Sequence, residues 1–457
     1  MHESRILEPF RIKCVEPIHL ISRSDREERL FAAKLNPFRL RAEDVFIDWL
    51  SDSGTGAMSA KQWGALMEGD ESYAGSKSFY RLESFVQKLT GMDHFIPTHQ
   101  GRAGERLLFS TVCKKGDLVL SNGHFDTTRA NLEFNGVEAL DLTLAENRQS
   151  SSIRPFKGDI DLVQVRQILQ SEAERIPFGM ISITNNTGGG QPVSMANLRE
   201  YSALLKSFGK PLIMDICRFA ENAMFIKLRE KEYANTPVRE ICREIFSYAD
   251  GCIMSAKKDG MVNIGGFIVL RSNEWVDELK SLLILTEGFP TYGGLAGRDL
   301  EAMAVGLEEG MDEDYLRYRL SCTAYFGDKL DAAGVSYVKP AGGHAIYLDA
   351  RKMLPNIPVE HYPAWALCIA LYVEGGIRGL EIGSVGYGKR LDDGTETYYS
   401  AELVRLAFPR RVYTQSHMDY AVEVIAEVKE KASEMRGLRI TRQTRLLRHF
   451  TAEFDWV

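Results

Sequence analysis

Between about Gly116 and Leu270, short apolar runs alternate with helix-patterned stretches, and this alternation limits the fold more than any other feature of the chain. Leu118-Val119-Leu120-Ser121, Ala139-Leu140-Asp141-Leu142, Met180-Ile181-Ser182-Ile183, Leu212-Ile213-Met214, Cys252-Ile253-Met254 and Phe267-Ile268-Val269-Leu270 have the length and character of strands. Between the third and fourth, Ser194 can cap a helix whose apolar stripe is Leu198, Tyr201, Leu204, Leu205 and Phe208, with Gly209 ending it. Asp161 can cap another that carries Leu162, Val165, Ile168 and Leu169. Strand–helix–strand alternation predicts a mostly parallel sheet covered on both faces. Ligands of such sheets lie at the carboxyl ends of the strands.

Two of those ends are chemically distinctive. Pro211-Leu212-Ile213-Met214 ends in Asp215, with Arg218 close behind, and the run from Gly251 to Ala256 ends in Lys257-Lys258. A lysine that bonds an aldehyde, an aspartate that pairs with a pyridinium nitrogen and an arginine that tunes the ring can together hold pyridoxal phosphate, which implies carbanion chemistry on an amino acid. A lone lysine after a strand is usually solvated, so the weight of Lys258 comes from its company. The adjacent cation of Lys257 favours a neutral, reactive amine. Ser255 and Lys257 suit phosphate by hydrogen bonding and charge.

Other segments are more open. Gln100-Gly101-Arg102-Ala103-Gly104-Glu105 precedes an apolar helical stretch, so it is either an anion site at a helix N-terminus or a plain helix start. Phe125 can stack on a cofactor ring or belong to the core. Asn186 lies in the loop Asn185-Asn186-Thr187-Gly188-Gly189-Gly190-Gln191-Pro192, which follows a strand and so falls at the active edge. Arg405, inside Leu403-Val404-Arg405-Leu406-Ala407-Phe408-Pro409, must be paired or functional: capture of a substrate carboxylate and a structural ion pair compete.

Length and composition set the frame. A chain of 457 residues is expected to form two domains. The patterns place an N-terminal arm at 1–20, an N-terminal part of a small domain at 21–56, a large cofactor-binding domain at 57–311 and a small C-terminal α/β domain at 312–457. Ala345-Ile346-Tyr347-Leu348-Asp349 and Leu403-Val404-Arg405-Leu406 are strands of the latter. A net charge of −7 with interspersed signs argues against a nucleic-acid binder. The seven cysteines form no Cys-x-x-Cys pair, which fits a reducing compartment. The start Met1-His2-Glu3-Ser4-Arg5 has no apolar signal core, and no run approaches the ~20 apolar residues of a membrane helix. A cytoplasmic enzyme is expected.

Taken together, the segments resemble one family along nearly the whole chain: the β-eliminating lyases, which comprise tryptophan indole-lyases and tyrosine phenol-lyases. The matching motifs include Glu8-Pro9-Phe10-Arg11-Ile12, Asp52-Ser53-Gly54-Thr55, Gly69-Asp70-Glu71-Ser72-Tyr73-Ala74-Gly75, Pro97 to Arg102, Gly189 to Ser194, Phe219-Ala220-Glu221-Asn222-Ala223, Tyr292 to Gly297 and Arg448-His449-Phe450-Thr451-Ala452. The resemblance implies the aspartate-aminotransferase-like fold (fold type I), pyridoxal 5'-phosphate, an activating potassium ion and a homotetramer built as a dimer of dimers. Lys258 corresponds to the Schiff-base lysine, Asp215 to the pyridinium partner and Arg218 to the ring-oxygen arginine. Gln100, Gly101, Arg102, Ser255 and Lys257 correspond to the phosphate region, and Phe125 to the stacking aromatic. Asn186 and Arg405, with Ser51 and Ser53 nearby, correspond to the groups around the substrate carboxylate. Tyr73 matches a tyrosine associated with acid catalysis. Glu71 and the backbone oxygens of Gly54 and Asn263 match a monovalent-cation site.

Three positions point to the indole-lyase branch. Gly379-Leu380-Glu381-Ile382-Gly383 carries Ile382 where phenol-lyases resemble one another in having Arg, Asp126 stands where they have Thr, and His449 where they have Phe. The implied reaction is α,β-elimination of L-tryptophan to indole, pyruvate and ammonia, with Asp126 and His449 at the indole ring. Elimination of L-tyrosine to phenol and a non-catalytic protein of the same fold are the alternatives. The chain departs from the family's pattern at Ser51, usually Thr, at Ala103-Gly104, usually reversed, at Ile216-Cys217, and at His124, where an aromatic is common.

Overall fold

The apolar runs become strands in the computed structural model, which describes residues 6–391 and 393–457. Residues 1–5, read above as lacking a signal core, lie outside the described residues. Seven strands make one sheet: β1 (His94–Thr98), β2 (Leu118–Ser121), β3 (Glu138–Asp141), β4 (Gly179–Ser182), β5 (Leu212–Asp215), β6 (Gly251–Ser255) and β7 (Gly266–Leu270). Their order is β1-β7-β6-β5-β4-β2-β3. Neighbours from β6 to β3 are parallel, and β7 runs antiparallel to both β6 and β1. After β2 the chain adds β3 on one side and β4 on the other, so strand order reverses between β2 and β4. A crevice at the carboxyl edge follows from that reversal.

The helices form where local chemistry starts and stops them. They are α1 (Gly101–Val112), α2 (Asp126–Phe134), α3 (Leu162–Glu172), α4 (Met195–Ser207) and α5 (Phe219–Arg229). The Asp161 side chain accepts the N–H groups of Val163 and Gln164 at 3.0 and 3.1 Å, and Ser194 Oγ accepts that of Asn197 at 3.1 Å. Leu198, Tyr201, Leu204 and Leu205 are buried, as their spacing predicts. Phe208 becomes the C-cap of α4, and Gly209 follows in the left-handed region at φ +68°. Leu107, Leu108 and Phe109 of α1 enter a core with Val119, Phe178, Met180, Ile213, Ile253 and Ile268. Burial of that apolar surface is the main stabilising contribution.

The chain divides into two compact units. The larger comprises Ser53–Asn147 and Pro155–Arg319; the smaller comprises 6–52, Arg148–Arg154 and Leu320–Val457. The boundary at Arg319 falls inside the long helix α6 (Glu313–Ala332). The smaller unit has a three-stranded antiparallel sheet of β8 (Ala345–Asp349), β9 (Leu380–Ile382) and β10 (Leu403–Ala407), in the order β9-β10-β8. Helix α7 (Pro363–Gly375) packs on β9 and β10. Proline opens α7 without losing a hydrogen bond. Among the described residues no helix is long and apolar enough to cross a membrane. None of the seven cysteines, all among the described residues, is in a disulfide, and four of them are buried.

Candidate functional site

Four neighbouring strand ends of the larger unit, those of β6, β5, β4 and β2, carry candidate residues. β6 ends in buried Ser255, and half-buried Lys257 and Lys258 follow it. The turn beyond is fixed: Met261 N–H bonds the Lys258 carbonyl at 2.9 Å, and Gln62 Nε2 donates to the Met261 carbonyl at 3.0 Å. Gly54 N–H donates to the Lys257 carbonyl at 2.8 Å. Burial, then the charges of Lys258 and Arg102, holds the Lys257 amine below its ordinary range.

At the end of β5, Asp215 accepts the Cys217 N–H at 3.0 Å and the Ser182 hydroxyl at 3.4 Å. Cys217, one of the departures from the family pattern, links two strand ends: its Sγ accepts the Ser255 N–H at 3.1 Å. Burial, reinforced by the Asp215 charge, pushes its thiol pKa up, so the residue is a neutral neighbour of the carboxylate. Arg218 is buried, and its carbonyl accepts the Thr184 hydroxyl at 2.9 Å.

The loops after β4 and β2 complete the edge. Asn122 accepts the Ser182 N–H at 2.9 Å and donates to the Ser182 and Gly158 carbonyls at 3.0 and 2.7 Å, tying one strand end to the next. Phe125, half-buried, is the N-cap residue of α2, and Asp126 is buried at its first position. The loop bearing buried Asn186 closes on itself through Asn185 N–H to the Gln191 carbonyl at 2.7 Å and Gly190 N–H to the Asn185 carbonyl at 2.8 Å. His124 donates its backbone N–H to Asp141 and meets the same carboxylate through Nδ1 at 2.7 Å. Burial alone would raise Asp141, but His124 and Arg129 outweigh it and hold the carboxyl at about 2.

Glu105 of α1 lies near these groups. Its carboxyl accepts the hydroxyls of Thr127 and Thr128 at 3.2 and 2.5 Å and the Asn131 amide at 3.4 Å. Burial pushes it up to about 7; the Asp215 charge adds to the rise, while Thr128, Thr127 and Lys258 oppose it.

The start of α1 can receive an anion. Gln100 is its N-cap residue yet makes no side-chain cap bond, so the helix end is open. Gly101 lies against Ser255: a Cβ there would come within 2.6 Å of Ser255 Cβ. Arg102 is exposed beside it. The reversed pair Ala103-Gly104 also has a packing reason, since a Cβ on Gly104 would lie 3.3 Å from Ile268 and 3.4 Å from Ile253. An open helix end, a carboxylate and an amine on one sheet edge are a donor set that fits a phosphorylated pyridine aldehyde.

The smaller unit carries Ser51, Ile382, Arg405 and His449. Register puts Ile382 opposite Leu403 and Leu380 opposite Arg405, so these side chains share one sheet face. Ile382 is 1% exposed, within an apolar cluster that includes Leu380, Leu403 and Tyr347. Arg405 is buried and donates to the carbonyl of Leu50, the neighbour of Ser51, at 3.0 Å. His449 is buried with the Phe38 ring 5.7 Å away.

Other expected residues are not gathered in. Tyr73 is 71% exposed and packs against Phe289 and Tyr292. Glu71 is exposed and paired with Arg298 at 2.8 Å, whereas Gly54 and Asn263 bond each other, Asn263 Nδ2 donating to the Gly54 carbonyl at 2.9 Å. Sequence reasoning passed over Glu105 and Glu381. The rule applied to Arg405, that a charge within an apolar run needs a partner or a role, would have flagged Glu381.

The beta-eliminating lyase family model matches residues 48–424. A tryptophanase of Hyphomonas neptunium is 56% identical, over 98% of this chain and 99% of its own. A tyrosine phenol-lyase of Nostoc punctiforme is 46% identical, over 98% and 96%. Among solved structures, a serine palmitoyltransferase of Sphingomonas wittichii superposes with a TM-score of 0.58 at 13% identity, over 90% of this chain and 97% of its own. That likeness shows the fold: an aspartate-aminotransferase-like, fold type I architecture.

Proposed function

The chain belongs to the β-eliminating lyase family and is a carbon–carbon lyase, and from that premise we propose that it cleaves L-tryptophan to indole, pyruvate and ammonia with pyridoxal 5'-phosphate as cofactor. The observation that carries the choice of substrate is Ile382, buried in an apolar cluster on the sheet face that also bears Arg405. It offers contact surface to a benzo ring and no donor to a phenolic oxygen. The higher identity to the tryptophanase than to the phenol-lyase supports the same choice.

When bound, the cofactor supplies an electron sink for the carbanion formed at the substrate α-carbon. The chain's own residues do the rest. Gln100, Gly101, Arg102, Ser255 and Lys257 would hold the phosphate, and Phe125 would stack on the ring. Asp215 would keep a proton on the ring nitrogen, and Arg218 would donate to the ring oxygen. Arg405, Asn186 and Ser51 hold the substrate carboxylate and so orient the α C–H bond. Lys258 removes the α proton. Asp126 accepts the indole N–H as carbon 3 gains a proton, His449 assists at the same ring, and Tyr73 is the acid.

Potassium bound by Glu71 and the backbone oxygens of Gly54 and Asn263, and a homotetramer, belong to the same proposal. The exposure of Glu71, Tyr73, Trp63 and Met67 supports an assembly that covers them. A reducing, cytoplasmic location is supported by seven cysteines of which none is in a disulfide.

The test is pyruvate release from L-tryptophan and L-tyrosine in parallel, with pyridoxal phosphate and potassium present. Release from tryptophan with stoichiometric indole, and little from tyrosine, is the expected result. Preference for tyrosine would overturn the roles of Ile382, Asp126 and His449 and leave the family intact.

A further inference from the structure

Behind Ile382 lies a pair of carboxyl groups that the elimination does not use. Glu381 precedes it in β9 and therefore points to the opposite face of the sheet, toward α7. Glu402 stands just before β10. Both are buried, at 2% and 1% exposure.

Together they hold one turn, residues 383–386. Val385 and Gly386 donate their N–H groups to the two oxygens of Glu381 at 2.9 and 3.0 Å. Ser384 donates its N–H at 2.8 Å and its hydroxyl to Glu402 Oε1. From the other side, Arg448 donates to the carbonyls of Ser384 and Val385 at 2.7 and 2.9 Å. The carboxyl groups converge on Gly383: a Cβ there would lie 2.6 Å from Glu381 Oε1 and 2.8 Å from Glu402 Oε2. A Cβ on Gly386 would lie 3.1 Å from Glu381 Oε2 and 3.8 Å from His449 Nδ1. One turn thus joins Ile382, His449 and the acidic pair.

Two carboxylates that both line Gly383, far from water, cannot both ionise cheaply. The cations that face them are few. Arg448 faces Glu381 but is also bonded to Glu396 at 2.8 Å, and Arg351 faces Glu402. His449 lies across the turn from Glu381. The remaining titratable neighbours are acids: Cys368 on α7, pushed well up by burial and then by Glu381, and Tyr362 at the start of α7, pushed up to about 12 chiefly by burial. Tyr398, near Glu396 and Glu360, is raised as well, chiefly by burial. Burial and then the charge of Glu402 push Glu381 up to about 8, while burial raises Glu402 against the bonds from Ser384.

We propose that Glu381 and Glu402 share one proton and act as positioning residues for the leaving-group pocket: their grip on turn 383–386 seats Ile382 and His449, and deprotonation loosens that seat. The proposal rests on the tryptophan reading for the identity of the leaving group, not for the shared proton.

The test uses the cofactor-loaded protein, Glu402→Gln and Glu402→Ala. Gln keeps an oxygen for Ser384 and puts an N–H where the shared proton lies; Ala removes both. Pyruvate release from L-tryptophan is compared with release from S-methyl-L-cysteine, whose small leaving group needs no aromatic pocket, between about pH 6 and about pH 10. Infrared spectra over the same range follow the protonated carboxyl without substrate.

In the wild type, the ratio of kcat/KM values is expected to fall ~10-fold as the acid band is lost at alkaline pH. E402Q should hold the neutral-pH ratio throughout, and E402A should show a lowered ratio at every pH. An E402Q ratio that still falls like the wild type's, or the absence of a protonated buried carboxyl at neutral pH, would overturn the proposal. Silence on tryptophan, with the acid band present in the wild type and lost in E402Q, supports the shared proton and refutes the substrate instead.

Discussion

The two sheets carry their polar groups in opposite ways. In the larger unit β4, β5 and β6 are buried and mainly apolar along their length, and the reactive groups come at the last residue or just beyond: Ser182, Asp215, Ser255 and Lys258. In the smaller unit Glu381 is the middle residue of β9 and Arg405 that of β10, on opposite faces. A parallel sheet covered on both faces leaves only its edge for chemistry. The smaller sheet, on one face of which a substrate is proposed, buries charge inside its strands, and each such charge is then also part of the core. Edge residues should therefore be replaceable without loss of fold, and mid-strand charges should not.

The largest expected effect tests the edge. Lys258→Ala should lower pyruvate release by ~10³-fold or more, because it removes the proposed base, while the thermal unfolding midpoint of the cofactor-free protein stays where it is. A large drop in that midpoint would break the contrast. Glu105 is the internal exception of the larger unit, and its effect is thermodynamic. Its carboxyl keeps a proton in the folded chain up to about 7, against an ordinary value of 4.5. Between these values the unfolded chain binds fewer protons than the folded one, so this residue's share of stability is present below about pH 4.5 and is lost as pH rises through about 7. The loss amounts to ~3 kcal/mol. Urea unfolding across that range should show the decline in the wild type, and Glu105→Gln should flatten it.

What could be read from sequence follows the same division. The larger sheet was legible because strand-length apolar runs end in rare residue types: Asp215, the Lys257-Lys258 pair and the capped helices at Asp161 and Ser194 all appear where periodicity puts them. The smaller unit was only half legible. β8 and β10 were recognisable as apolar runs, but β9 is three residues long, too short for any period to register. Glu381 reads in sequence only as the neighbour of Ile382, because its partner Glu402 lies 21 positions on and meets it only through the sheet. Glu105 was hidden by helical context, since an acid near a helix start is ordinary and only tertiary burial sets it apart. The left-handed backbone of Thr184, at φ +54°, had no sequence signal at all.

The mid-strand side of the contrast is sharpened by Arg405→Leu. The kcat/KM for tryptophan should fall ~10²-fold, mostly through KM, the loss of a charged hydrogen bond to the substrate carboxylate. Unlike Lys258→Ala, this change should also lower stability, by about 1–3 kcal/mol, because the Leu50 carbonyl loses its donor in a part-buried setting. Steady-state kinetics and urea midpoints on one protein preparation would separate the two losses; unchanged stability would mean that a mid-strand charge can be as separable from the core as an edge residue.

The smallest effect concerns a residue that is structural on either view. Ser194 accepts the Asn197 N–H at 3.1 Å and is itself anchored to Asp159, its N–H donating at 2.7 Å and its hydroxyl at 3.1 Å. It follows the loop that bears Asn186, so it is close in sequence to the proposed carboxylate site without being assigned to it. Ser194→Ala should cost about 1 kcal/mol of stability, the usual loss for an N-cap, read as a lower urea midpoint. The backbone bond to Asp159 survives the change and still anchors the start of α4, so kcat and KM should stay at the wild-type values. A rise in KM for tryptophan would mean that the cap also seats the Asn186 loop, and the edge of the larger sheet would then depend on its helices as closely as the smaller sheet depends on its buried charges.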